Sequence, residues 1–213
     1  MKNQLRQILS QVADFEDPRI KLEQYITPPA LAADLIYTAY MQGDIEDKKV
    51  VDLGTGTGIL AIGAAKVGGE VTAVEKDQDA LELAEKNAEE AGAKINFVEK
   101  DVEEFCGKVG TEGSSASRNS GELRPFDTVV MNPPFSVHSD TGLSFWERAV
   151  EVSDAVYGIS PRGARDSIKS LVRSSNHKLE GVQEYDIVLP ASYGFHTEEG
   201  RETPVDLIIT RRT

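Results

Sequence analysis

The 213-residue chain is poor in the residues that hold metals and disulfides: it has one cysteine, Cys106, and three histidines. A single thiol cannot close an internal disulfide, and a few scattered ligands do not make a metal cluster. A reducing, cytoplasmic setting and a site without a metal are therefore expected. No run of 18 or more apolar residues occurs, which speaks against a membrane-spanning helix and for a protein without a membrane. Positive charge is also scarce. Against 36 Asp and Glu there are 23 Lys and Arg, a net charge of −13. Bulk attraction to nucleic acid is not expected of such a chain, although a local basic patch is compatible with it. The N-terminal stretch "MKNQLRQILSQVADFEDP" has neither the apolar core nor the cleavage site of a signal peptide. Its Leu5, Ile8, Leu9 and Val12 share one face of a short helix instead.

What is present alternates strand and helix. "ITPPALAADLIYTAYMQGDI" reads as a helix with Thr27 as its cap, Pro28 in the first turn and Gly43 after its end. "KKVVDLGTGTG" is a strand entering a glycine loop, and "ILAIGAAKVGG" is an apolar helix. "EVTAVEKD" is a second strand, and "QDALELAEKNAEEAGA" a helix stopped by Gly92. "KINFVEKD" and "FDTVVMNPPF" are third and fourth strands. This order predicts an α/β fold of Rossmann-like type: a mostly parallel central sheet with helices on both faces. One domain, 1–213, is expected, with a helical N-terminal extension over 1–43. The glycine- and serine-rich stretch 107–125, "GKVGTEGSSASRNSGELRP", reads as a surface insertion.

In such sheets ligands sit outside the carboxyl ends of the strands. The chemically interesting residues fall there. "DLGTGTG" has glycines at 54, 56 and 58, whereas the dinucleotide fingerprint would need one at 59, where Ile59 stands. No phosphate-binding lysine of the P-loop type follows. Glu75 ends the second strand, where a carboxylate can accept from both ribose hydroxyls. Asp101, followed by Val102, ends the third strand, where an adenine would lie. Asp52 can orient the loop or approach a positive centre. Adenosine without phosphate, together with a cationic centre, points to S-adenosylmethionine.

The fourth strand stops at "NPPF". Two prolines end the ladder and stiffen the carbonyls beside Asn132. The Asn132 amide oxygen and the Pro133 carbonyl can hold the two hydrogens of an exocyclic amine. That aims the nitrogen lone pair at a methyl carbon. Pro134 extends the rigid turn, and Phe135 offers a face on which a base can stack. Catalysis of this kind is orientation and electrostatics, without a covalent intermediate.

The glycine loop followed by N-P-P-F resembles the class I methyltransferases that act on amino groups conjugated to planar systems. With "LEQYITPP" before the loop and "LPASYGFH" near the end, the chain resembles the methyltransferase-like protein 5 family of ribosomal RNA adenine-N6 methyltransferases, in an archaeal-looking form. The resemblance runs from about Leu22 to Ile209, without the serine-rich insertion. It implies that Gln24 and Thr27 contribute to cofactor binding with Gly54, Thr57, Gly58, Ile59, Glu75 and Asp101. It implies catalysis by Asn132, Pro133, Pro134 and Phe135, a small-subunit ribosomal RNA substrate, and a small zinc-binding activator subunit as partner. The loop after "GFH" is acidic here, "TEEGRE", which departs from a basic RNA-contacting loop. Arg162, Arg165, Lys169 and Arg173 recur at steps of three and four, a basic helical stripe able to meet RNA phosphates or simply face solvent. Methylation of a guanine amino group or a protein glutamine, and an inactive cofactor-binding scaffold, are the competing readings.

Overall fold

A computed structural model of the chain describes residues 1–19, 22–105, 125–134, 141–189 and 201–213. The elements run α1 (Lys2–Leu9), α2 (Pro29–Met41), β1 (Lys49–Leu53), α3 (Ile59–Lys66), β2 (Glu70–Glu75), α4 (Gln78–Ala91), β3 (Ile95–Glu99) and β4 (Thr128–Met131). They continue with α5 (Thr141–Val152), β5 (Ala155–Pro161), a 3-10 turn (Arg162–Ala164), α6 (Arg165–Ser174), β6 (His177–Leu189) and β7 (Arg201–Arg212). The strands form one seven-stranded sheet in the order β3-β2-β1-β4-β5-β7-β6. β1 to β5 pair in parallel, and β7 enters antiparallel between β5 and β6. The mostly parallel Rossmann-like sheet expected from the sequence is thus present.

Strand alternation sends neighbouring residues to opposite faces. Val50 and Val130 face a core built with α1, α2 and α3. Val51, Leu53, Val129 and Met131 face a second core shared with α5 and α6. Burial on both faces is why the central strands read as unbroken apolar runs. Trp146 of α5 is buried in the second core, as its place in the sequence suggests. Pro204 is tolerated in β7 because it lies one residue past the last β5 pair, Pro161↔Val205, where no β5 carbonyl asks for its missing N–H.

Two local expectations are corrected. Thr27 does not cap α2. Pro28 takes the cap position, Pro29 begins the helix, and no side chain caps it. Two adjacent prolines remove donors that a cap would have served. Gly43, with φ 78, does follow the helix end. The four basic residues do not make one helical stripe either, because Arg162 belongs to the 3-10 turn before α6. Phe135, Cys106, residues 107–124 of the insertion and 190–196 of "LPASYGFH" lie outside the described residues.

Candidate active site

Because β1 to β4 run parallel, their carboxyl ends open onto one edge of the sheet. The chain leaves them at Gly54, Lys76, Lys100 and Asn132. There a cleft of about 340 Å³ is lined by Gln24, Thr27, Asp52, Gly54, Thr57, Ile59, Glu75, Asp101, Val102, Asn132 and Pro134, among others. Nearly every predicted catalytic and cofactor-binding residue within the described part of the chain therefore meets in one place. Two do not line it. Pro133 is buried between Asn132 and Pro134, which do line it. Gly58, at φ 83, is the cap position before α3, and a Cβ there would stand 3.2 Å from that of Ala84, so it serves the approach of α4.

The glycine loop is tied to both acids. Asp52 Oδ2 accepts from the Thr55 hydroxyl at 2.6 Å and from the Ala61 N–H at 3.0 Å. Glu75 accepts from the N–H groups of Gly56, Lys76 and Asp77 at 2.9 to 3.0 Å. Gly54 has φ 71, and a Cβ on it would fall 2.8 Å from the Phe145 ring. A glycine is required there both by its left-handed backbone and by the aromatic wall from α5. Asp101 accepts from the Glu103 N–H at 2.9 Å and faces Lys76 at 3.4 Å.

Electrostatically, Asp52 stands out. It is buried, and burial raises its pKa from 3.8 to about 7. The hydrogen bonds from Thr55 and Ala61 oppose the rise, and the charge of Glu75 adds to it. Its Oδ1 is buried without a hydrogen-bond partner among the described residues, and so is Asn132 Oδ1. Two acceptors left unserved in one cleft are costly unless a ligand brings donors or positive charge. S-adenosylmethionine fits that demand: the Glu75 and Asp101 side could hold its adenosine, and Asp52 could face its cationic groups.

Asn132 is fixed on its other side. Its Nδ2 donates to Thr27 Oγ1 at 2.9 Å. Gln24 lines the cleft, but its amide is committed: Nε2 donates to Asp77 at 2.7 Å and Oε1 accepts from the Arg19 N–H at 2.8 Å. Arg19 in turn pairs with Asp77 and Asp79.

The sequence reading missed the wall formed by residues between α1 and α2. Phe15, Leu22, Glu23 and Tyr25 line the cleft, as do Phe145 from α5 and Lys76, Lys100 and Glu103 at strand ends. The wall is clasped by Asn87. This buried amide donates to Ala13 O and Thr57 O and accepts from the Ala13 N–H. A signal did exist: Asn87 interrupts the buried stripe Ala80, Ala84 and Ala88 of α4 with a polar residue.

Arg162 and Arg165 are engaged within the molecule. Arg165 Nε lies 2.6 Å from Asp206 and its Nη2 2.7 Å from Glu184. Arg162 approaches Asp206 at 3.4 Å and Asp186 at 3.5 Å. Asp206 is wholly buried, so the two guanidiniums neutralise a carboxylate of β7. Lys169 sits 3.8 Å from Asp166 on its own helix.

The parallel sheet, the glycine loop at the first strand and an Asn-Pro-Pro turn at the fourth define a class I S-adenosylmethionine-dependent methyltransferase. Residues 32–163 match the family described as the methyltransferase small domain. The chain is 36% identical to the zebrafish (Danio rerio) rRNA N(6)-adenosine-methyltransferase METTL5, covering 96% of each chain. It is 33% identical to the Drosophila melanogaster enzyme of the same name, over 95% of this chain and 92% of that one. The crystal structure of PH1948 from Pyrococcus horikoshii superposes with a TM-score of 0.82 at 32% identity, covering 100% of this chain and 98% of that one. The chain belongs to the methyltransferase small-domain family and, within it, to the METTL5 family. Its cofactor is S-adenosylmethionine.

Proposed function

We propose that this chain methylates the exocyclic N6 amine of an adenosine in small-subunit ribosomal RNA. We place it in the cytoplasm with a small zinc-binding activator subunit, as one domain over 1–213. The names of its relatives support the adenine and the ribosomal RNA. The observation that carries the chemistry is the buried, unserved Asn132 Oδ1 in the cofactor cleft.

S-adenosylmethionine, when bound, supplies an electrophilic methyl on a sulfonium. Asn132 Oδ1 accepts one hydrogen of the adenine amine, and the Pro133 carbonyl accepts the other. With both hydrogens held, the nitrogen lone pair is directed at the methyl carbon. Transfer would form the C–N bond as the methyl–sulfur bond broke, and the alkylated nitrogen would give up its proton to water. Pro133 and Pro134 keep this turn rigid, while Phe135 stacks on the base. Asp52 holds positive charge on the cofactor, and Glu75 binds its ribose through acceptor capacity left over from the loop. Thr27, Gly54, Thr57, Ile59, Asp101 and Val102 complete the cofactor side, Gly58 shapes the loop by admitting α4, and Gln24 acts by holding the wall to Asp77.

The activator subunit would cover a sheet edge. The edge strands are β3 and β6, and β3 keeps Ile95, Phe97 and Val98 only half-buried. Phosphate contact falls to Lys169 and Arg173, since Arg162 and Arg165 neutralise Asp206.

Nucleoside mass spectrometry of ribosomal RNA from a strain lacking the gene tests the assignment. N6-methyladenosine should disappear from the small-subunit RNA and return with the wild-type gene, not with Asn132→Ala. Unchanged N6-methyladenosine would refute it.

A further inference from the structure

Asn87 makes three hydrogen bonds from a buried face of α4. Its Nδ2 donates to Thr57 O at 2.9 Å and to Ala13 O at 3.1 Å, and its Oδ1 accepts from the Ala13 N–H at 3.1 Å. All three partners are backbone groups, whose donor and acceptor roles are fixed, so these bonds define which end of the amide points where. The Thr57 carbonyl depends on its bond. In a continuing α-helix its partner would be the N–H of Ala61, four residues on. That N–H bonds Asp52 Oδ2 at 3.0 Å instead. Asn87 thus replaces the donor that Asp52 draws away from the glycine loop.

The other two bonds reach a stretch with no regular structure of its own. Residues 10–18 form neither helix nor strand, so contacts set their path. α1 holds one end through Leu5 and Leu9 in the first core. Arg19 holds the other end through its ion pairs with Asp77 and Asp79 at the start of α4. Ala13, bound to Asn87, lies between them. Two residues further on, Phe15 lines the cleft, and a Cβ on Gly56 would stand 3.6 Å from its Cζ. Gly56 is the loop residue whose N–H bonds Glu75 at 3.0 Å. An aromatic ring therefore closes the cleft against the glycine loop, and it comes from a strap that owes its course to a buried amide.

We propose that Asn87 is a positioning residue for cofactor retention. Through Ala13 it seats Phe15 across the cleft, and through Thr57 it ties that seat to the glycine loop. Phe15 covers the bound cofactor, and the product S-adenosylhomocysteine leaves when the strap 13–19 lifts. The inference rests on the cofactor's place in this cleft and is independent of the RNA substrate.

The test is a double-mutant cycle on Asn87→Ala and Phe15→Ala. Dissociation of S-adenosylhomocysteine, followed by surface plasmon resonance, should accelerate roughly tenfold in each single variant. The pair should be no more than about twofold faster than either, because Asn87 acts through Phe15. Hydrogen exchange gives a second readout. Asn87→Ala should lose protection over 13–19 while α1 keeps its own. In wild type, bound S-adenosylhomocysteine should slow exchange over 13–19, and in Phe15→Ala it should not.

Independent effects, multiplying to about 100-fold in the pair, would mean that Asn87 acts on the loop without Phe15 and would overturn the proposal. So would unchanged dissociation in Phe15→Ala, or exchange over 13–19 that bound S-adenosylhomocysteine leaves unaltered. If Asn87→Ala does not fold, Asn87→Asp takes its place in the cycle, keeping size and acceptor and losing both donors. None of these measurements uses RNA, so they decide the role of Asn87 whether or not ribosomal RNA is the substrate.

Discussion

Replacing Asp52 by Asn should make the empty protein more stable and the cofactor site worse. Folding carries the carboxyl of Asp52 into a buried site and raises its pKa from 3.8 to about 7. At about 1.36 kcal/mol per pKa unit, that is roughly 4 kcal/mol against the charged form. The sign follows from proton counts. Between 3.8 and about 7 the folded protein keeps a proton that the unfolded chain has released, so stability falls as pH rises through this window and is flat above it. Asparagine carries no such charge. The advantage of Asp52→Asn over wild type should therefore be about 3 kcal/mol larger at pH 8 than at pH 5, two pKa units' worth. Urea unfolding without cofactor at both pH values measures it. Cofactor binding should move the other way. A cation seated on Asp52 favours the carboxylate, so below about pH 7 wild-type affinity for S-adenosylmethionine should fall roughly tenfold per pH unit. Asp52→Asn should bind weakly and with little pH dependence. A stability gap of the same size at both pH values, with pH-independent wild-type affinity, would refute the reasoning.

Asn132→Ala should abolish methyl transfer while changing S-adenosylmethionine affinity by less than about tenfold, or 1.4 kcal/mol, which calorimetry beside a tritium-transfer assay would check. Gly54→Ala should destabilise through its left-handed backbone by about 1–2 kcal/mol and more through the Phe145 ring, and adding Phe145→Ala should relieve only the second part in thermal melts. Arg165→Ala should lower the melting temperature further than Lys169→Ala, with Asp206→Asn restoring part of the loss, because it strands the buried Asp206 carboxylate. Lys169→Ala with Arg173→Ala should instead flatten the slope of log RNA affinity against log salt by about 1.5, and an unchanged slope would return both residues to a solvated helix face.

Which parts of this were readable beforehand follows from how local each cause is. Strand and helix order is written in local apolar patterning, which makes α2 and then β1 to β4 with α3 and α4 among them legible. β6 carries "HKLEGVQEYDIVL", whose charges hide its period, and it pairs with a strand that follows it in antiparallel register, so the ribbon is not legible from local patterning. The glycine loop, Glu75, Asp101 and Asn132 were legible because a parallel sheet brings its strand ends to one edge wherever the strands fall in the chain. Only tertiary structure could decide what each side chain meets. It turned Thr27 from a helix cap into the partner of Asn132, 105 residues away. It committed Gln24 to Asp77 and turned two arginines of an apparent basic stripe inward to Asp206. A hydroxyl, an amide and a guanidinium are each satisfied by whichever partner lies within about 3 Å, and sequence spacing does not state that distance.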